Sequence, residues 1–431
     1  MLSACACATV RVSSRVPMTV EVKVPPPLEL LLKVFLPFAG GYYLSYLFRT
    51  VNAIISPDLV REFNLGPADL GLLTSSYFLT FGLFQLPLGL LLDRYGPRRV
   101  NAALLILAGA GAALFGLSQS LAGLIAARAL IGLGVSGCLM SSIKVFTIWF
   151  PLNRLATLNG WLLACGGLGA LSASKPAEEL LRVASWHSVF LLLAALTFVA
   201  AGAIFLIVPE REAQRSPQSL MDSLRSLPLI LRSARFWRLG LLVIAGQGVF
   251  MSLQSLWVAP WLKDVVGLAR ADIGTHLLMV ALGMIVGASM WGVVADWLAR
   301  RGVDAVTVVL GGFGASLVNL ALLASGLKSG TLALMFCLTL FSQVQPLVYA
   351  ILSKEFPLEL SGRVVSTLNF MVFLSAFAVQ WGLGLIINLW PVQAGKYADA
   401  GYATAFGACI ALLLVPYVLL LRSRRSGALG G

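Results

Sequence analysis

Apolar residues dominate the chain in runs of about twenty, the length a helix needs at about 1.5 Å per residue to cross roughly 30 Å of hydrocarbon. Only helices and closed barrels pair every backbone group there, and runs this long predict helices. Twelve runs meet the requirement, at residues 33–56, 68–92, 100–117, 121–150, 155–174, 187–208, 237–262, 272–296, 305–325, 332–353, 364–389 and 401–421. One long polar stretch, residues 209–236, rich in Arg and Ser, interrupts the series between the sixth and seventh runs. The expected organisation is therefore a tail at 1–32, a six-helix bundle at 33–208, a linker at 209–236, a second bundle at 237–421 and a tail at 422–431.

The two halves repeat each other. A constant offset of 203 residues carries Pro57 onto Pro260, Ala68-Asp69-Leu70-Gly71 onto Ala271-Asp272-Ile273-Gly274, Gly89 onto Gly292 and Asp93 onto Asp296. A later echo, Thr157-Leu158-Asn159 with Thr367-Leu368-Asn369, has drifted to an offset of 210. Duplicated six-helix halves predict an all-α membrane protein of twelve transmembrane helices in two pseudo-symmetric bundles, an architecture that carriers use around a midplane site.

Composition agrees: 59% of residues are hydrophobic and 11% charged, against about one quarter charged in soluble domains, which excludes a soluble globule. The net charge of +13 points to nucleic acid only if Lys and Arg gather on one folded face, and here they sit between apolar runs. Of the 31 basic residues, 21 fall on loops and tails of one side, 6 on the other and 4 within spans. Positive charge marks the cytoplasmic side, so both termini and the linker are expected there, in a multi-pass plasma membrane protein (the inner membrane in a Gram-negative cell) acting as a monomer in the lipid bilayer. Residues 1–27 have no continuous apolar core ahead of a cleavage site and read as a tail rather than a signal peptide, with Met18 an alternative start. Cys138, Cys165, Cys337 and Cys409 lie in apolar segments as small hydrophobes, and Cys5 and Cys7 form a lone CxC, so neither a disulfide framework nor a metal site is expected.

The segment Gly89-Leu-Leu-Leu-Asp93-Arg94-Tyr-Gly96-Pro-Arg98-Arg99, between the second and third runs, resembles the GxxxDRxGRR signature of the major facilitator superfamily. A degenerate copy stands at Gly292-Val-Val-Ala-Asp296-Trp-Leu-Ala-Arg300-Arg301, and Arg128-Ala-Leu-Ile-Gly132-Leu-Gly134 is similar to that superfamily's RxxxGxG pattern. The resemblance covers residues 30–422 and implies a transporter without a cofactor, in which the two loops act as gate latches through charge pairs at helix ends. The same arginines also satisfy the positive-inside rule as topology signals. The GPxxGG turn of the superfamily's drug and proton antiporters is replaced by Ser174-Lys175-Pro176-Ala177-Glu178-Glu179, which speaks against a multidrug exporter.

Charges within spans are costly and need a partner or a water-filled cavity. Arg49 shares a helix face with Tyr42, Tyr46 and Asn52 and either offers a planar fork suited to carboxylate or phosphate or fills a structural hydrogen-bonding role. It stands eight residues before Pro57, as does an arginine in the organic-anion and organophosphate carriers that span one resembles, but the mirrored position is Ser252, so the paired arginine of the organophosphate group is missing. Arg128 either lines the same cavity or packs by bonding carbonyls or Tyr side chains of a neighbouring helix. Lys144, sixteen residues on and roughly 160° around the helix, is expected to snorkel to the nearby interface. Lys175 is expected to pair locally with Glu178 or Glu179, and His276 to be an interfacial residue at the end of span eight. No Asp or Glu occupies the middle of a span, so a carboxylate proton relay is disfavoured. The second half offers amides and a phenol, including Gln247, Gln254, Gln343, Gln345, Tyr349, Asn369 and Gln380, of which Gln254, Gln343, Tyr349 and Asn369 are taken as substrate contacts beside Arg49.

No phosphate-cradling loop, metal cluster or nucleophile with a placed base suggests an enzyme. The expected function is alternating-access carriage of a small organic anion. A transporter-shaped receptor and a drug efflux permease are the competing readings, the first needing a long cytoplasmic output element and the second an acidic counter-charge.

Overall fold

The structure, a computed structural model, describes residues 27–210, 228–392 and 396–425. Among these, twelve helices are long and apolar enough to cross a membrane: Leu28–Thr50, Pro67–Tyr95, Pro97–Leu117, Leu121–Trp149, Leu152–Ser172, Trp186–Ile207, Ala234–Val266, Arg270–Ala299, Ala305–Ala324, Thr331–Lys354, Gly362–Ile387 and Asp399–Ser423, here spans one to twelve. Most of the expected linker, residues 211–227, and most of the expected tails lie outside the described residues.

Local chemistry sets the turns. Pro67 and Pro97 open spans two and three, where a missing N–H costs nothing. Ser120 and Ser185 cap spans four and six, their hydroxyls accepting from the Gly123 and Ser188 N–H groups. Gly96 has φ +79° in the signature loop, a conformation any side chain would strain. Beyond span five the chain forms a short helix, Lys175–Val183, so the stretch compared with the antiporter turn lies outside the span. Glu178 there bonds Arg182 Nε at 2.9 Å rather than Lys175, which approaches only Glu179, at 3.8 Å.

Every third span is interrupted. Span one is helical to Thr50, turns at Val51 and resumes over Asn52–Phe63. Span four breaks between Val135 and Cys138, and span ten between Ser342 and Pro346. Span seven keeps its helix but widens into a π turn at Leu253–Trp257. Irregular backbone at membrane depth is tolerated where protein or a cavity covers it.

The bundles meet along two seams. In one, Gly71, Gly82 and Gly384 let spans two and eleven touch: a Cβ on Gly71 would stand 3.1 Å from the Gln380 carbonyl, and one on Gly82 would stand 2.8 Å from Phe373 Cβ. In the other, Gly274 of span eight meets Glu178 and Gly167 of span five meets Ile285. Gly71 and Gly274, equivalent in the repeat, thus do equivalent work. Toward the signature-loop end both seams part. Gly89 and Gly362 on the first, Gly160 and Gly292 on the second, each seven residues beyond Gly82, Asn369, Gly167 and Ile285 respectively, have nothing within 4 Å of a Cβ position. At the opposite end the bundles are tied: Arg270 forms a two-pronged ion pair with Asp58 at 2.6 and 3.2 Å, and the Tyr397 hydroxyl donates to the Leu65 carbonyl at 3.3 Å.

Candidate functional site

Arg49 stands two residues before the turn at Val51, where the two bundles approach. Its guanidinium carbon lies 4.6 Å from the ring centre of Tyr46, 5.2 Å from Phe81 of span two and 5.4 Å from Phe373 of span eleven. The side chain is only partly buried, its Nε has no hydrogen-bond partner, and no carboxylate meets it among the described residues. Tyr42 packs edge-on against Tyr46 at 5.2 Å, so the predicted face of Tyr42, Tyr46 and Arg49 is one cluster. Gly166 makes room for it: a Cβ there would stand 2.6 Å from Tyr42 and 2.9 Å from Tyr46.

Asn52, past the turn, is buried with its Oδ1 unpartnered. Thr50 and Gln254 face each other across a crevice with Ala170 and Ala281, on the closed side of Arg49. The Gln254 amide is within 3.5 Å of Met284 sulfur. Asn369 donates across the seam to Gln85 Oε1 at 3.3 Å, while Gln85 donates to the Ser136 carbonyl at 3.1 Å, where span four is broken. Gln343 packs its Cβ on Gly287 in the break of span ten, and Tyr349 is partly buried two turns further on, so neither joins the Arg49 cluster through a contact seen here.

Arg128 is placed differently. It has no exposed surface, donates from Nη1 to the Phe48 carbonyl at 3.0 Å and lies against the Phe115 and Phe190 rings. It thus makes one backbone bond between spans four and one, while its buried Nε and Nη2 have no hydrogen-bond partner. Gly132 and Gly134, in the same motif, bring span four onto the backbone of Tyr77 and of Ala108. Ser252, mirror of Arg49, is fully buried and donates to the Gly248 and Ala376 carbonyls.

In the signature loop, Asp93 pairs with Lys144, which therefore reaches a carboxylate rather than snorkelling to the interface. Arg98 donates to the Phe205 carbonyl and, with Arg99, meets Glu210 at 3.4 and 2.5 Å, tying span three to the end of span six. Arg94 lies against Tyr95. These contacts all fall within the first bundle. In the second copy Asp296 and Arg300 are exposed and Arg301 stacks on Trp297 at 3.8 Å. His276, in the second turn of span eight, is buried: Nδ1 faces the Asp272 carbonyl at 2.7 Å, which requires its proton there, and Nε2 faces the Thr331 hydroxyl at 2.9 Å. Asp264, at the end of the long span seven, is buried and accepts from the Tyr402 hydroxyl at 2.8 Å and the Tyr397 N–H at 3.3 Å.

Phe81, Phe373 and Gln85 escaped sequence reasoning. Phe81 and Phe373 look like ordinary span residues, and only the seam brings their rings to 4.1 Å. Gln85 is a polar residue inside a span, a signal that could have found it.

Repeated halves meeting at an arginine-bearing seam define a membrane carrier fold. The chain belongs to the Major Facilitator Superfamily, whose family model matches residues 38–380, a family of transporters and not of enzymes. It is 22% identical over 273 residues to a probable sulfoacetate transporter of Cupriavidus necator, covering 60% of this chain and 64% of that one. It is 23% identical over 410 residues to a probable L-galactonate transporter of Escherichia coli, covering 86% of each. Among solved structures, a bacterial homologue of the human lysosomal transporter Spinster, inward-facing and unoccupied, superposes with a TM-score of 0.74 at 18% identity, over 93% of this chain and 98% of that one.

Proposed function

We propose that the chain carries a small organic anion across the membrane by alternating access, with the Arg49 guanidinium as the anchor of its charged group. The observation that carries this reading is that Arg49 lies at the seam, partly open, with no carboxylate against it and an unpartnered Nε. A cation tolerated at such depth favours a negative guest that completes its hydrogen bonds. Relatives whose names specify sulfoacetate and L-galactonate transport support an anionic substrate. Tyr42, Tyr46 and Asn52 flank the anchor from span one, and Gln254 and Asn369 approach it from the second bundle, with Gln343 and Tyr349 along the same path. Arg128 holds the scaffold.

The excess of basic residues on the signature-loop side supports a cytoplasmic location for that side, with both termini and residues 209–236, in a plasma membrane protein. The parted seams then face inward. The loop residues from Gly89 to Arg99, with Gly292, Asp296, Arg300 and Arg301, form the gate on that side. Residues 33–208 and 237–421 rock as two units within one monomer.

Proteoliposomes loaded with unlabelled L-galactonate or with buffer, then given labelled L-galactonate, sulfoacetate or benzoate, test this. Accumulation of at least one anion by the native chain and its loss in Arg49→Ala are expected. Binding without flux identifies a sensor, and flux indifferent to Arg49 overturns the anchor.

A further inference from the structure

We propose that the anion is singly charged and carries a flat, apolar body, as an aromatic monocarboxylate does, rather than being doubly charged or polyhydroxylated. This rests on Arg49 as the anion anchor. Charge is the first argument. Among the described residues the seam presents one cation that neither a carboxylate nor a backbone carbonyl holds: Arg128 meets the Phe48 carbonyl, Lys144 is held by Asp93, and Ser252 stands at the mirrored position. Arg363, with an unpartnered Nε, lies ten residues from Phe373, about 15 Å of helix away, beyond reach of a small molecule held at Arg49. A second negative charge at the seam would be desolvated without a partner.

The walls are the second argument. Tyr46, Phe81 and Phe373 surround the guanidinium, and Phe81 stacks on Phe373 across the seam with ring centres 4.1 Å apart and planes 29° apart. A flat ring whose carboxylate meets Arg49 can pack against these faces. Beyond the unpartnered Asn52 Oδ1, many hydrogen-bonding groups near the seam are already engaged. Thr50 donates to the Tyr46 carbonyl, Ser45 to Val135 and Ser252 to two carbonyls. Gln380 is held between Thr74 and Ser255, and Gln85 and Asn369 bond each other. Hydroxyls buried without partners lose their hydration with nothing to replace it.

The experiment is calorimetric titration of the full chain in lipid nanodiscs with benzoate, phthalate, L-galactonate and sulfoacetate. Benzoate is expected to bind at least tenfold more tightly than the other three. Phe373→Leu, which keeps an apolar side chain and leaves the seam packed, is expected to weaken benzoate about fivefold or more, and more than it weakens L-galactonate; equal weakening of the two overturns the flat-body argument. Phthalate, sulfoacetate or L-galactonate binding as tightly as benzoate overturns the proposal. If that binding still vanishes in Arg49→Ala, the anion anchor survives, whereas binding of any of the four that ignores Arg49→Ala removes the anchor as well. Absence of binding by all four overturns both.

Discussion

Arg49 and Arg128 show how one residue type takes two fates at similar depth. Both sit in apolar helices, lie against aromatic rings and carry a buried Nε without a partner, yet Arg128 has no exposed surface and meets a backbone carbonyl while Arg49 is only partly buried. Removing a charged partner from a buried hydrogen bond costs about 2–5 kcal/mol. Arg49→Ala is therefore expected to lower kcat/KM for the transported anion at least roughly 30-fold without lowering the melting temperature, read by proteoliposome uptake and detergent melting curves. Arg49→Lys keeps the charge but loses the fork, and is expected to fall between. Arg128→Ala should instead destabilise the fold. Gly166→Ala tests the support of the cluster: its methyl would overlap Tyr42 and Tyr46, an overpacking of about 1–3 kcal/mol. Raised KM at nearly native expression is the expected result, and native kinetics would show that the tyrosines move freely. The face of Tyr42, Tyr46 and Arg49 was legible because helical spacing alone sets it. Arg128 was not, because whether a buried arginine meets carbonyl or cavity depends on which helix lies opposite, and spacing within one span carries no such information.

At the scale of elements, hydropathy marked all twelve spans and the 203-residue repeat marked their duplication, because span length and turn residues are local constraints. The break in span one and the π turn in span seven were hidden, since neither Val51 nor Leu253–Trp257 is a strong helix breaker, whereas Gly137 and Pro346 stand at the breaks in spans four and ten as signals that were legible. The signature loop was legible as a motif but not in its partners. Lys144 looked like an interfacial lysine until span four brought it to Asp93, and Arg98 and Arg99 met Glu210 of the same bundle. Both members of the Asp93–Lys144 pair are largely but not fully buried, so removing one is expected to cost between the roughly 0.2–1 kcal/mol of exposed pairs and the several of sealed ones. Lys144→Ala should slow uptake several-fold. The exchanged variant Asp93→Lys with Lys144→Asp should recover more than half of it, and failure to recover would show that position, not pairing, matters.

For the whole molecule, the two seams are closed at the Asp58 end and parted at the Asp93 end, so the reverse state requires the Arg270–Asp58 bridge to break as the bundles rock. No other ion pair between the bundles occurs among the described residues, and the remaining ties at that end are hydrogen bonds and glycine contacts. Because the pair is two-pronged and only about a third to a sixth exposed, its loss should shift the balance of states by about 1–3 kcal/mol, roughly 5- to 150-fold. A cysteine at Gly292, where nothing lies within 4 Å, reports the parted seam when the native cysteines are replaced. Arg270→Gln and Asp58→Asn are each expected to slow its labelling by a membrane-impermeant maleimide applied from the signature-loop side. The double variant should slow it no further, since the two residues act as one pair. An anion that binds both states equally shifts nothing, so substrate added to either variant restores labelling only if it grips the parted state more tightly. Labelling that stays at the native rate in both variants would locate the holding energy in the helix seams, where Gly71, Gly82 and Gly384 bring spans two and eleven into contact along half their length, and would make the ion pair a passenger of that packing.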